Sequence, residues 1–152
     1  MPITRPARPS DLETLAHLRH SLWPEGTTIE HQRELEAIVT GAWSGQSPYV
    51  VFVTEGEDGR PAGFAEVTLR SHADGCDPSR PVGYLEGWYV EEPRRRTGHG
   101  AALLRAAEAW ARAEGAREMA SDTWIDSELS QSVHEALGFE VVDRVVTYRK
   151  KI

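Results

Sequence analysis

Six consecutive residues, Arg95-Arg96-Thr97-Gly98-His99-Gly100, follow an apolar and aromatic run from Tyr84 to Val90 and open directly into an amphipathic segment. In a turn of this kind successive backbone N–H groups, unobstructed at the glycines, converge on an anion, and the dipole of the helix starting there favours negative charge. The same residues also suit a solvated basic turn whose glycines only permit the backbone geometry, and the spacing alone leaves both readings open. No Gly-Lys-Ser/Thr follows, which excludes a P-loop. The first glycine of G-x-G-x-x-G is missing, which excludes the dinucleotide fingerprint, and R-x-x-G-x-G remains.

The elements around this loop follow from periodicity. An extended start near Ile3 precedes a helix with Leu12, Leu15, Ala16 and Leu22 on one face, opened by Ser10 and Glu13 in capping-box spacing. Thr27 and Glu30 repeat that spacing before a stripe of Leu35, Ile38 and Val39. Tyr49 to Thr54, the Asp58-Gly59 turn and Ala62 to Arg70 read as a hairpin, and Tyr84 to Val90 as the next strand. The helix after Gly100 turns Leu103, Leu104, Ala107, Trp110 and Ala111 inward and stops at Gly115. Met119 to Thr123 is a short strand. A further helix has Leu129, Val133, Ala136 and Leu137 inward, and Phe139 to Lys150 is expected to supply two final strands.

The expected fold is α/β (α+β): a mixed, mostly antiparallel sheet of about seven strands flanked by four helices, in the order β-α-α-β-β-β-α-β-α-β-β. At 152 residues the chain suits a single domain, residues 1–152.

Composition narrows the function classes. Apolar residues make up 39% and charged residues 27%, and the longest strongly apolar run, Tyr49 to Val53, falls far short of a membrane span. Acidic residues outnumber basic ones by 24 to 17, a formal charge of −7, which argues against nucleic acid and fits a cationic small molecule. The Arg94-Arg95-Arg96 cluster has no interleaved aromatic platform for bases. The lone Cys76 cannot form an internal disulfide, and Met-Pro-Ile-Thr-Arg-Pro leads into a helix without secretory features, so a cytoplasmic location is expected. No metal is expected.

Val90, Arg95, Gly98 and Gly100 resemble the pyrophosphate-binding motif of the GNAT acetyltransferases, and the order of elements resembles that fold over nearly the whole chain. The resemblance implies acetyl-CoA as cosubstrate. Arg95, Arg96, Thr97, Gly98, His99, Gly100 and Ala101 would hold the CoA pyrophosphate, and Trp88, Tyr89 and Val90 would line the pantetheine arm. Where the family often has an asparagine opening the next helix and a tyrosine four residues before a Gly-Phe pair, this chain has Ser127 and His134. An imidazole can act as general acid near neutral pH, so His134 is a candidate to protonate the departing thiolate; a purely structural helix histidine is the other reading.

A finer resemblance, to the aminoglycoside 6′-N-acetyltransferases, is carried by Leu22-Trp23-Pro24, Tyr84-Leu85-Glu86-Gly87, Ala120-Ser121-Asp122 and His134 to Phe139. It implies that Trp23, Glu86, Asp122 and Asp143 contact the acceptor under a loop from Arg70 to Gly75, where His72 stands in for a tyrosine common in relatives. A polycationic sugar requires carboxylates for charge-assisted bonds and an aromatic surface for its ring faces. Asp122 or Glu86 is the expected base for the amine, and a homodimer is implied. The alternatives are a GNAT enzyme for another amine, such as a polyamine, a small metabolite or a protein N-terminus, or a CoA-binding regulatory module without catalysis.

Overall fold

A computed structural model describes residues 1–152. Strand β1 (Thr4–Pro6) leads through a 3-10 turn into helices α1 (Leu12–Leu22) and α2 (Thr28–Val39), and strands β2 (Tyr49–Glu55), β3 (Pro61–Arg70) and β4 (Val82–Val90) follow. Helix α3 (His99–Ala113), strand β5 (Met119–Ser121) and helix α4 (Glu128–Ala136) complete the order. The five strands form one sheet in sequence order. Every pair is antiparallel except β4 and β5, which run parallel because α3 crosses between them.

Two apolar layers hold the sheet, as the alternation along β3 requires. On one face Phe64 joins Leu15, Leu35 and Val53 beneath α1 and α2; on the other Ala65 and Val67 pack with Leu85, Leu103 and Ala107 beneath α3. Among these apolar layers sits one ionic group. Glu66, fully buried on β3, accepts from Arg19 Nε at 3.0 Å, Arg19 Nη2 at 3.2 Å and the Tyr49 hydroxyl at 2.7 Å. Three donors around one carboxylate satisfy it and tie α1 to β2 and β3.

The helix starts follow local chemistry. Thr27 and Glu30 form the expected reciprocal cap on α2. At α1 the expected pair of Ser10 and Glu13 is not used. Instead Asp11 accepts the Arg8 N–H at 2.8 Å and both terminal nitrogens of Arg5, at 2.7 and 3.1 Å, since a carboxylate facing a guanidinium outcompetes a hydroxyl.

The C-terminal part corrects the expected strand count. The sheet has five strands, not about seven, because residues 140–152 lie outside every helix and strand and are exposed. A β-rich segment becomes a strand only when it has a partner, and within this chain Val141, Val142, Val145, Val146 and Tyr148 find none. With those strands absent, the face of α4 expected to turn inward is uncovered at Leu129 and Val133.

Candidate active site at a split in the sheet

Strands β4 and β5 pair only at Gly83 with Met119, Tyr84 with Ala120 and Leu85 with Ser121. On the other side of β4, the register with β3 slips between Glu66 and Val67, which pair with Gly87 and Leu85. Glu86 is therefore the extra residue of a bulge, and a bulge bends its strand and re-aims the side chain. The split begins at that bulge, leaving Glu86 to Val90 unpaired on the β5 side. Trp23, at the end of α1, lies over the bulge: a Cβ at Gly87 would come within 2.5 Å of its ring, so only glycine fits beneath it.

Beyond the split, the basic loop is shaped as an anion cradle. Arg96 is the single non-glycine residue with positive φ (62°), and Gly98 at the helix N-cap has φ 88°. Arg95 donates through Nε to the Val90 carbonyl at 2.8 Å, and Thr97 through its hydroxyl to the Arg94 carbonyl at 2.5 Å. The backbone N–H groups of residues 96 to 101 donate to no acceptor in the chain. Unspent amides at a helix N-terminus fit a pyrophosphate. The indole of Trp88 donates to the Gly100 carbonyl at 3.1 Å, fixing strand β4 to the cradle. His99 is buried in the first turn of α3, and burial together with nearby Arg94 lowers its pKa, so it stays neutral there.

His134 sits between the rings of Trp88 and Phe139, with centroids 5.3 and 5.2 Å away. Its Nδ1 lies 2.7 Å from the Ser130 carbonyl, which only accepts, so Nδ1 carries the proton of the neutral ring. Nε2 then accepts from the Ser121 hydroxyl at 2.9 Å, and that hydroxyl is also 3.3 Å from the Leu85 carbonyl. When the ring is protonated, Nε2 donates to Ser121 and Ser121 turns to Leu85. Both protonation states are accommodated at the last residue pair before the split.

The carboxylates gather on the opposite face. Glu86 Oε1 accepts from Thr68 at 2.7 Å and from Arg70 Nε and Nη2 at 3.1 and 2.9 Å, while Oε2 accepts from Arg70 Nη2 at 2.8 Å. The Tyr84 hydroxyl donates to Asp122 Oδ2. Burial and the Asp122 charge both raise the Tyr84 pKa, so the phenol keeps its proton and holds the carboxylate in place. Asp122 Oδ1 is left free for another donor. A cavity of about 330 Å³ opens beside Glu86, lined by Trp43, Gln46, Ser47, Tyr49, Thr68 and Arg70.

Two expected acceptor residues stand apart. His72 is solvent-exposed and faces Asp74 at 3.7 Å, and no hydrogen bond joins it to Glu86 or Asp122. Asp143 lies in the exposed C-terminal segment and accepts only from the Arg144 N–H. Ser127 is the N-cap of α4, with its hydroxyl unused by the cap. Sequence reasoning missed Trp43, Tyr49, Tyr84 and Arg70. The signal for Tyr49, Arg70 and Tyr84 was the alternation in β2, β3 and β4, which puts Tyr49, Thr68, Arg70, Tyr84 and Glu86 toward one face; Trp43 lies in the loop before β2 and carried none.

The sequence profile of the acetyltransferase (GNAT) family matches residues 12–139. An aminoglycoside N(6′)-acetyltransferase type 1 of Klebsiella aerogenes is 41% identical over 151 residues, 99% of this chain and 97% of its own. The fold superposes on the solved aminoglycoside N-acetyltransferase AAC(6′)-Iy in complex with CoA with a TM-score of 0.86 at 35% identity, covering 100% of this chain and 96% of that one. The same enzyme in complex with the bisubstrate analogue CoA-S-monomethyl-acetylneamine gives a TM-score of 0.85, also at 35% identity, covering 100% and 99%.

Proposed function

Because the chain belongs to the acetyltransferase (GNAT) family, we propose that it moves the acetyl group of acetyl-CoA onto the 6′-amine of an aminoglycoside antibiotic and so confers resistance. The observation that supports this most is the join at the split: an anion cradle on one side, and on the other a cavity walled by Trp43 and Tyr49 that opens on the Glu86 carboxylate.

The unspent amides of residues 96 to 101, with Arg95 and Arg96 beside them, bind the CoA pyrophosphate. Trp88, Tyr89 and Val90 present the unpaired side of β4 to the pantetheine arm, and Ser127 offers its hydroxyl from α4. This brings the thioester into the split beside His134 and Ser121. On the other face Asp122 Oδ1 and Glu86 Oε2 attract ammonium groups, Trp23 walls the bulge, and Trp43 and Tyr49 offer surfaces to sugar rings. His72 and Asp143 contribute at the rim, outside the first contacts.

The amine must shed a proton before it attacks the thioester carbonyl. Asp122 is the better base because its Oδ1 is free, whereas Glu86 is spent on Arg70 and Thr68. Backbone N–H groups along Glu86 to Val90 polarise the carbonyl as negative charge develops there. As the C–N bond forms, the C–S bond breaks; the thiolate takes the Nε2 proton of a protonated His134, directly or through Ser121, and the second proton leaving the amine nitrogen passes to water. Positioning two reactants across one split supplies much of the acceleration.

One domain, residues 1–152, carries these steps, and it acts as a homodimer in the cytoplasm, where acetyl-CoA is made. Exposed Trp124, Ile125, Leu129 and Val133 and the apolar residues of the C-terminal segment offer apolar surface that a second copy would cover. Beside β5 a groove of about 280 Å³, lined by Ala111, Ala116, Met119, Leu137 and Phe139, is open to a strand from a second copy.

The activity is tested by mixing protein, acetyl-CoA and a panel of aminoglycosides carrying either a 6′-amine or a 6′-hydroxyl, and following thiol release. Turnover confined to the 6′-amine members is expected. Turnover with neither group overturns the acceptor assignment and redirects the search to polyamines and peptides.

A further inference from the structure

The acceptor cavity already contains a cation. Arg70 closes β3 and reaches across to β4, where its guanidinium lies 3.4 Å from the centroid of the Tyr84 ring and makes three contacts with Glu86. This arginine is not held as a buried strut: its side chain is 44% exposed and that of Glu86 is 24% exposed. It links Glu86, the carboxylate lining the cavity, to the Tyr84 ring, whose hydroxyl in turn holds Asp122.

Building on the acceptor reading above, we infer that Arg70 is a specificity-determining residue, a resident cation that an acceptor ammonium must displace or oppose at Glu86. Oε1 is filled by Thr68 and Arg70, and Oε2 has room for one further donor beside Arg70 Nη2. An ammonium that docks on Oε2 with Arg70 in place meets a like charge at close range. An ammonium that takes the whole carboxylate must push the guanidinium off both Glu86 and the Tyr84 ring. In either case Arg70 lowers the affinity for cations at this carboxylate, a loss that weighs most on acceptors with no second charge to hold them. An acceptor with several ammonium groups offsets the loss through Asp122 and the rest of the acidic surface. The sign rests on charge, so lysine should preserve the effect and neutral side chains of similar length should remove it.

Titration calorimetry of neamine into the CoA-loaded protein reads this directly. Arg70→Gln and Arg70→Met are each expected to lower the neamine Kd about tenfold, the scale of one partly exposed like-charge interaction, and Arg70→Lys is expected to keep the wild-type value. In a Glu86→Gln background, Arg70→Gln should bring no gain. The Kd for CoA, measured on the same samples, is expected to stay at the wild-type value, which shows that the fold is retained. A neamine Kd that stays the same or rises in both neutral variants overturns the inference, as does a gain that persists without the Glu86 carboxylate. If wild-type protein acetylates the 6′-amine of neamine while the neutral variants bind it no more tightly, only the role of Arg70 falls. If no form of the protein binds neamine at all, the acceptor reading falls with it.

Discussion

His134 is the residue whose surroundings say most about its role. Its Nδ1 faces the Ser130 carbonyl, so Nε2 is the atom that meets the Ser121 hydroxyl at the mouth of the split. Replacing His134 with Phe keeps the stacking between Trp88 and Phe139 and removes the acid. The expected result is a kcat lower by about 10- to 100-fold, with the KM for acetyl-CoA close to wild type. A wild-type kcat in steady-state assays would leave the ring a purely structural role. For Asp122→Asn, steady-state assays should show the KM for the aminoglycoside raised about tenfold, the cost of losing one charge-assisted contact at a partly exposed site, and kcat lowered by about 100-fold, the cost of losing the base. At this scale the sequence named Glu86, Asp122 and His134 as candidates because their types match a family motif. It was silent on the contacts of Arg70 and Tyr84, whose partners lie 16 and 38 residues away and are met only across strands.

Among the elements, the junction of β1 and α1 carries a pH-dependent tie. Burial would raise the Asp11 carboxyl, but the Arg5 guanidinium and the Arg8 N–H outweigh it and hold the pKa below the usual carboxylate range. A carboxyl depressed in the folded state stabilises the fold above its unfolded pKa, near about 3.9, and loses that contribution as pH falls through the folded value. Asp11→Asn should therefore cost about 1–2 kcal/mol at neutral pH, and the difference from wild type should vanish below both pKa values. Urea unfolding midpoints at neutral and strongly acid pH check this; an equal deficit at both would assign the effect to packing. The cradle is also an element-scale property. Gly98 holds φ 88° at the N-cap of α3, so Gly98→Ala should weaken CoA binding and lower stability by about 1 kcal/mol.

For the whole molecule, the decisive feature is apolar surface left bare. Trp124 is 80% exposed and Tyr148 91%, on a chain whose other large apolar side chains are mostly covered. Pairing of residues 140–152 with the edge of a second copy would bury that surface and turn the β-rich segment into the strand its composition favours. Light scattering is expected to give twice the chain mass of 16.9 kDa. Val145→Asp combined with Val146→Asp should shift the protein toward monomer. A wild-type monomer at high protein concentration would overturn the dimer.

The sequence by itself determined the order of helices and strands through β5 and α4 and the glycine geometry of the R-x-x-G-x-G loop. Periodicity, capping residues and glycine placement are local, and each acts within a few residues. Only the tertiary structure decided that Glu86 is a bulge residue, that β4 and β5 part at Leu85, and that Arg70 occupies the carboxylate a substrate would seek. These depend on register and on side chains meeting across strands, which no local pattern encodes. The last two expected strands fell on the same divide. Val141 to Tyr148 has the composition of a strand, but a strand is a property of a pair, and the partner is not in this chain's own sheet.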